Sequence, residues 1–415
     1  MLDDKLKALW TRISPPQKAA FFGFFLSGYL VHLYVFTNII PNSDGLSRIF
    51  DPQQMTVSGR WFLHFASYFN GFTQMPAVIG LFSVLFLALA AALAVSLLGI
   101  RSRALSALSG ALMAAFPAVG YTFLYLFTAS AYCFAIFLAV LSVSLARRGR
   151  WHWLAGCLLL ACSMGTYQAY VTVAIGLSLL VIFRETLDPS ASFSATLRLG
   201  VRLMLFLAAG AVLYYGILLV FLQVKDLELL SYLGMDAASS GYPFSRLPGL
   251  LLDTYKQVAA FFFLPGSANT FPSGWMAVLD LAALALGGGC FLLCMGQEGL
   301  WRARWRPLGG LAMLALLPLG INFGQILSPW SAPTPLMKYA FVLVYLAVVI
   351  ALVMWWYLRY TRAGLRLRAV GENPGAADSV GINVKRYKYL HIIIGTGVMG
   401  IGGYYMGLNM NGSFS

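Results

Sequence analysis

Long apolar runs separated by short polar stretches dominate the chain. Residues 19–40 read AAFFGFFLSGYLVHLYVFTNII, which is apolar on every side of a helix. Residues 104–146 hold no charged side chain over 43 positions, room for two bilayer crossings and a tight turn. A helical crossing needs about 20 mostly apolar residues. Lipid cannot satisfy an open backbone, so these runs are expected to be helical. Outer-membrane barrels instead alternate over segments of about ten residues, which these runs do not do. By length, spans fall near 19–40, 76–99, 105–119, 122–145, 152–165, 169–183, 203–222, 273–295, 308–327, 339–358 and 390–408, about eleven in all. A further apolar piece, VAAFFFLPG at 258–266, is too short to cross. The expected fold class is all-α, a polytopic integral membrane protein.

Composition agrees with the pattern. Charged residues make up 10% of the 415 and hydrophobic residues 60%, and the mean hydropathy is +0.78. A soluble domain carries about 25% charged residues. With the N-terminus inside, 22 of the 28 Lys and Arg fall on the inner side and 6 on the outer. That bias sets a cytosolic N-terminus by the positive-inside rule. It also accounts for the net charge of +14 as loops lying on anionic lipid, not as a nucleic-acid surface. The expected location is a bacterial inner (plasma) membrane. The lead MLDDKLKALWTRISPPQK (1–18) reads as a retained cytosolic amphipathic segment, because the apolar run after it is too long for a signal peptide. Five cysteines lie inside apolar stretches without a CxxC pair, so neither a metal nor a redox cofactor is expected.

Candidate chemistry sits on the predicted outer side. The loop at 41–75 carries Asp44, Arg48, Asp51, Arg60, Trp61 and His64. A carboxylate such as Asp44 can act as general base toward an incoming hydroxyl. An arginine beside it can hold a phosphate through two parallel hydrogen bonds. Arg60 and His64 share a face if 58–69 is a helix. An ordinary wet loop with a local Asp–Arg pair would show the same residues. The segment MGTYQAY (164–170) places Tyr167 and Gln168 between two apolar runs, suited to sugar hydroxyls or simply to turn formation. Tyr121, Tyr125 and Tyr132 supply aromatic groups at comparable depth. The longest outer segment, about 223–272, is too long for an idle connector. Asp280 is an intramembrane carboxylate, a functional candidate or a partner for a neighbouring helix. Lys338 could bind an anionic head group or only anchor its helix.

NSDG at 42–45, SGRWFLH at 58–64 and TYQAY at 166–170, in that order within a multi-span chain, resemble the bacterial O-antigen-modifying glucosyltransferases, which belong broadly with the type-C glycosyltransferases. The likeness covers roughly residues 15–335. It implies transfer of a sugar from a polyprenyl-phosphate donor to lipopolysaccharide or another cell-envelope glycan, on the outer membrane face. It implies Asp44 as the acidic residue of the first outer loop and Arg60 with Trp61 as the family's Gly-Arg-Trp feature. Tyr167 and Gln168 match its Tyr-Gln feature, and Lys256 and Lys338 are the available counterparts of its distal basic pair. Asp44 and Arg60 are then the candidate catalytic pair. Arg48, Asp51, Trp61, His64, Tyr167, Gln168, Lys256 and Lys338 are the candidate substrate-binding residues.

The tail reads differently. TRAGLRLRAVGENP and AAD-x-x-GINVKR, within 358–388, are similar to the cytoplasmic coupling loop of ABC transporter permeases for ribose-like sugars and nucleosides. The resemblance implies a loop over 359–389 with Gly371, Glu372, Asn373, Pro374 and Gly381 in its coupling element, and an ABC ATPase subunit as partner where the tail is functional. The expected division is a lead at 1–18, a glycosyltransferase-like body at 19–338 and a permease-like fragment at 339–415. Three functions fit the sequence: an inverting membrane glycosyltransferase, a permease subunit or fragment, and a non-catalytic membrane scaffold.

Overall fold

The computed structural model describes residues 10–11, 13–40, 44–45, 50–187, 191–229, 246–264, 274–297, 304–327 and 334–346, together with Ser379. Among them there is no strand, only two isolated bridges, Phe50–Thr73 and Met55–Arg60. The helices of eight residues or more are α1 (Pro15–Thr37), α2 (Pro76–Leu98), α3 (Arg103–Ala115), α4 (Pro117–Leu124), α5 (Leu126–Ala146), α6 (Arg150–Thr166), α7 (Val171–Leu187), α8 (Phe193–Lys225), α9 (Leu247–Phe263), α10 (Gly274–Gln297) and α11 (Trp305–Ile321).

Local sequence sets the ends. Helix α1 starts at a capping box: the Ser14 hydroxyl accepts from the Gln17 N–H, the Gln17 side chain accepts from the Ser14 N–H, and Pro15 occupies N1. Pro76 and Pro117 open α2 and α4 in the same position. Because Phe116 before Pro117 is extended, α3 and α4 are bent by 42° where they meet. Helices α1 and α3 cross at near backbone contact. A Cβ at Gly23 would collide with the Ala107 carbonyl, and one at Gly110 with the Ala20 carbonyl. Small residues of this kind let membrane helices pack where no hydrophobic force separates protein from lipid.

Five helices among the described residues are long and apolar enough to cross a membrane: α1, α2, α5, the stretch Gln168–Thr186 and α8. The bent pair α3–α4 passes the same test when counted as one span, for up to six. The predicted spans at 152–165 and 308–327 correspond to α6 and α11, helices of 17 residues each. That at 273–295 corresponds to α10. The spans at 339–358, beyond residue 346, and at 390–408 lie outside the described residues, as do the tail's Gly371, Glu372, Asn373, Pro374 and Gly381. The segment 223–272 is not a plain loop: it contains α9, packed on α10 and α11. Residues 258–263 of the short apolar piece are the end of this helix, whose middle, Asp253–Gln257, carries the polar residues that hid it.

Helix α5 is the most buried of the span candidates, packed against α2 and α6, and α8 is the least buried. Helix α8 has 33 residues, about 50 Å at 1.5 Å per residue, against a hydrocarbon core of about 30 Å. One end of the bundle is held by arginines. Arg184 donates to the Leu97 carbonyl (3.4 Å). Arg202 donates to the carbonyls of Ala146 (2.7 Å) and Arg148. Arg306 donates to that of Ala191 (2.7 Å), and Arg147 pairs with Glu185 at 3.6 Å. Leu97 and Ala146 close α2 and α5, and cations are favourable at such C-termini.

Candidate active site

The opposite end carries the loop 50–75. It closes on itself through the Asp51 N–H donating to the Phe72 carbonyl (3.0 Å) and the Arg60 N–H to the Met55 carbonyl (3.1 Å). At its tip Thr56–Ser58 form a 3-10 turn and Gly59 has φ +78°. That left-handed conformation favours glycine, and it delivers Arg60 inward.

Three elements fix this turn. The Gln168 amide, in the 3-10 turn Gln168–Tyr170 between α6 and α7, donates to the Ser58 carbonyl (2.8 Å) and to the Tyr214 hydroxyl (3.1 Å). Tyr214, on α8, donates to the Gly59 carbonyl (3.0 Å). The Phe62 N–H donates to the Gly165 carbonyl at the end of α6 (2.7 Å). Trp61 lies directly on Gly165, where a Cβ would strike the indole, and stacks on Phe221 of α8 at 5.6 Å.

Arg60 then meets two phenols. Its Nη1 donates to the Tyr132 hydroxyl (3.1 Å), and its guanidinium carbon lies 4.7 Å from the Tyr167 ring centroid. Tyr132 and Tyr167 stack at 4.7 Å, and both are buried. Burial pushes the Tyr167 phenol well above its ordinary range, with a further rise from Tyr132 and a smaller opposing pull from Arg60. Tyr167 is therefore a neutral hydroxyl and a cation–π face. A planar guanidinium in a partly desolvated aromatic frame suits an anionic oxygen such as that of a phosphate.

The structure thus brings Arg60, Trp61, Tyr167 and Gln168 together, and adds Tyr132 and Tyr214. Sequence spacing did not point to Tyr214. Its signal was helical phase, since it continues the buried stripe Phe206, Gly210, Leu218 and Leu222 of α8. The expectation that Arg60 and His64 share one helical face is corrected. Residues 58–69 break into a 3-10 turn, a glycine turn and the short helix Leu63–Ala66. His64 instead contacts the Pro52 carbonyl through Nδ1 (2.6 Å) and stacks on Phe72 at 5.0 Å. The Asp51 carboxylate accepts from the Gln53 N–H (2.9 Å), an internal loop contact.

Asp44 is exposed in a turn whose Gly45 carbonyl accepts from the Gln74 amide (2.7 Å), next to the start of α2. Arg48 lies outside the described residues. Lys256, exposed on α9, pairs with Asp253 at 3.2 Å. Lys338 is buried in the 3-10 segment Pro335–Phe341, its Nζ 5.6 Å from the Phe261 ring centroid. Asp280 accepts from the Tyr345 hydroxyl (3.0 Å), which ties α10 to the segment after Val344. Among the described residues no group of three or more His, Cys, Asp or Glu could hold a metal ion.

Fold and site define a polytopic helical membrane protein with an arginine–tyrosine centre at one end of its bundle. The chain belongs to the glucosyl transferase GtrII family, whose model matches residues 33–351. Short matches to transporters accompany this. The chain is 45% identical over 71 residues to the nucleoside ABC transporter permease protein NupC of Lactococcus lactis subsp. cremoris, covering 17% of this chain and 22% of that protein. It is 45% identical over 58 residues to the guanosine ABC transporter permease protein NupQ of Bacillus subtilis, covering 14% and 18%. It is 41% identical over 64 residues to the putative glucose ABC transporter permease protein TsgC13 of Haloferax volcanii, covering 15% and 20%. The chain thus spans about a fifth of the length of these curated relatives. No solved structure matches it. The composite read from the sequence stands: a GtrII body and a short permease-like segment.

Proposed function

We propose that the protein transfers a glucosyl or related sugar residue from a polyprenyl-phosphate donor to a cell-envelope glycan such as O-antigen. The reaction takes place on the outer face of the bacterial inner membrane, with the N-terminus in the cytosol. The observation that carries this reading is the Arg60 guanidinium, framed by Tyr132 and Tyr167 at the end of the bundle opposite the arginine-capped one. A sugar on phosphate already has a good leaving group and needs little acid assistance. The acceptor must instead be aligned and lose its proton as the new bond forms. Asp44 takes that proton, the acceptor oxygen bonds to the anomeric carbon, and the bond from that carbon to the phosphate oxygen breaks. Arg60 stabilises the charge gathering on the departing phosphate. Direct displacement inverts the anomeric carbon. Trp61, Tyr167 and Gln168 border the sugar, and Lys338, with Lys256, serves the donor phosphate. Asp44→Asn keeps the side chain's size and removes its basicity. Turnover per folded protein, with polyprenyl-phosphate glucose and a surface-glycan acceptor, should fall about 100-fold or more. Near-normal turnover would remove Asp44 as the base.

The permease matches favour a second, separate reading for one part of the chain. In it residues 339–415 are a permease-like fragment, and the loop 359–389 is its docking element for an ABC ATPase. Deleting 359–415 should then leave sugar transfer largely intact, measured on well-expressed protein.

A further inference from the structure

At the arginine-rich end, α7, α8 and α11 leave an apolar groove of about 190 Å³ between them. Ile182 of α7, Phe193, Leu197 and Gly200 of α8, and Trp305 and Gly309 of α11 line it. Phe193 and Trp305 meet edge to face at 5.7 Å. Each is the first residue of its helix, so the positive ends of α8 and α11 converge there. The charges around this mouth are lopsided. Arg198, beside Leu197, and Arg304, beside Trp305, are both exposed. Arg306 is buried against Trp305 and donates to the Ala191 carbonyl, fixing the mouth rather than facing outward. The neighbouring carboxylate, Glu185, is paired with Arg147. Lipid thus meets an apolar slot whose rim is cationic and whose one adjacent acid, among the described residues, is neutralised.

The geometry points to a binding site for an anionic phospholipid, with one acyl chain in the groove and the phosphate at the mouth between Arg198 and Arg304. Basic pockets between membrane helices select anionic head groups in this way, because the apolar part contributes affinity and the charges contribute selectivity. The site lies at the other end of the bundle from Arg60 and does not depend on the proposed reaction.

The test uses the full chain in phosphatidylcholine nanodiscs. They are doped either with phosphatidylglycerol carrying a photoreactive diazirine in one acyl chain or with phosphatidylcholine carrying the same chain. Labelled peptides are read by mass spectrometry. The phosphatidylglycerol probe should label 193–200 and 305–313 about tenfold more than the phosphatidylcholine probe. Labelling around Leu30, a lipid-exposed position on α1, should be equal for the two. At Gly200 a Cβ would sit 3.7 Å from Ile182 Cδ1, an ordinary contact. Gly200→Leu therefore fills the slot without breaking α8, and should abolish the excess labelling. The pair Arg198→Gln and Arg304→Gln should reduce it to the phosphatidylcholine level. Equal labelling by both probes, an excess that survives either variant, or crosslinks at these peptides to a second copy of the chain would overturn the assignment.

Discussion

The two ends of the bundle use arginine in opposite ways. At the basic end Arg184 and Arg202 donate to the last carbonyls of helices. The partner there is backbone, and the gain is a closed helix terminus. At the other end Arg60 leaves a glycine turn and faces Tyr132 of α5 and Tyr167 in the extended link after α6. Its neighbours hold it by a hydroxyl and an aromatic face, and the turn beneath it is itself gripped by Gln168 and Tyr214. An arginine that caps a helix needs no such framework. The contrast teaches that the arginines of the basic end serve to close helix termini. Arg60, set among phenols, is where chemistry is to be sought.

Substitutions can break this contrast. Arg60→Ala should lower transfer per folded protein about 100- to 1000-fold, the loss typical of removing one preorganised charge-stabilising donor. If Arg202→Ala did the same, the distinction between the ends would fail. Arg60→Lys keeps the charge but loses the planar fork, so an intermediate loss of roughly tenfold is expected in the same assay. Tyr214→Phe removes the hydroxyl that grips the turn while leaving Arg60 in place. Turnover should drop about three- to tenfold through misalignment, with a smaller change in KM, read from steady-state kinetics. The smallest effect on catalysis belongs to Arg202→Gln: turnover unchanged, and stability lowered by about 1–2 kcal/mol as two helix-end carbonyls lose their donor. Thermal unfolding in detergent measures that loss.

The parts of this architecture written as apolar length were legible in the sequence. The predicted 76–99 coincides with Pro76–Leu98, and 19–40 lies within a few residues of Pro15–Thr37. Helix α8 starts ten residues before the predicted 203 because Arg198 and Arg202 ended the apolar run without ending the helix. The division of 104–146 was misplaced for a related reason. Hydropathy stays uniform through Phe116 and Tyr125, while the backbone breaks at both. Motif order brought out Arg60, Trp61, Tyr167 and Gln168. Tyr214 stayed hidden beside Tyr215, since the two differ only in phase: 7% of Tyr214 is exposed against 53% of Tyr215. That the glycine turn would send Arg60 and His64 in different directions was not visible either, because spacing carries no record of a positive φ.

The glycine-lined crossing of α1 on α3 bears on how the chain is made. Its partners are not neighbours in sequence; α2 is synthesised between them. As the ribosome feeds the membrane, α1 enters before α3 and lacks this mate for its Ala20–Gly23 surface until Gly110 has emerged. Through that interval α1 has α2 beside it but not α3, with its small-residue face turned to lipid or to the insertion machinery. A bulky residue on that face would leave each helix able to insert, yet stop the first three segments from closing into a unit, so the defect would be one of assembly order.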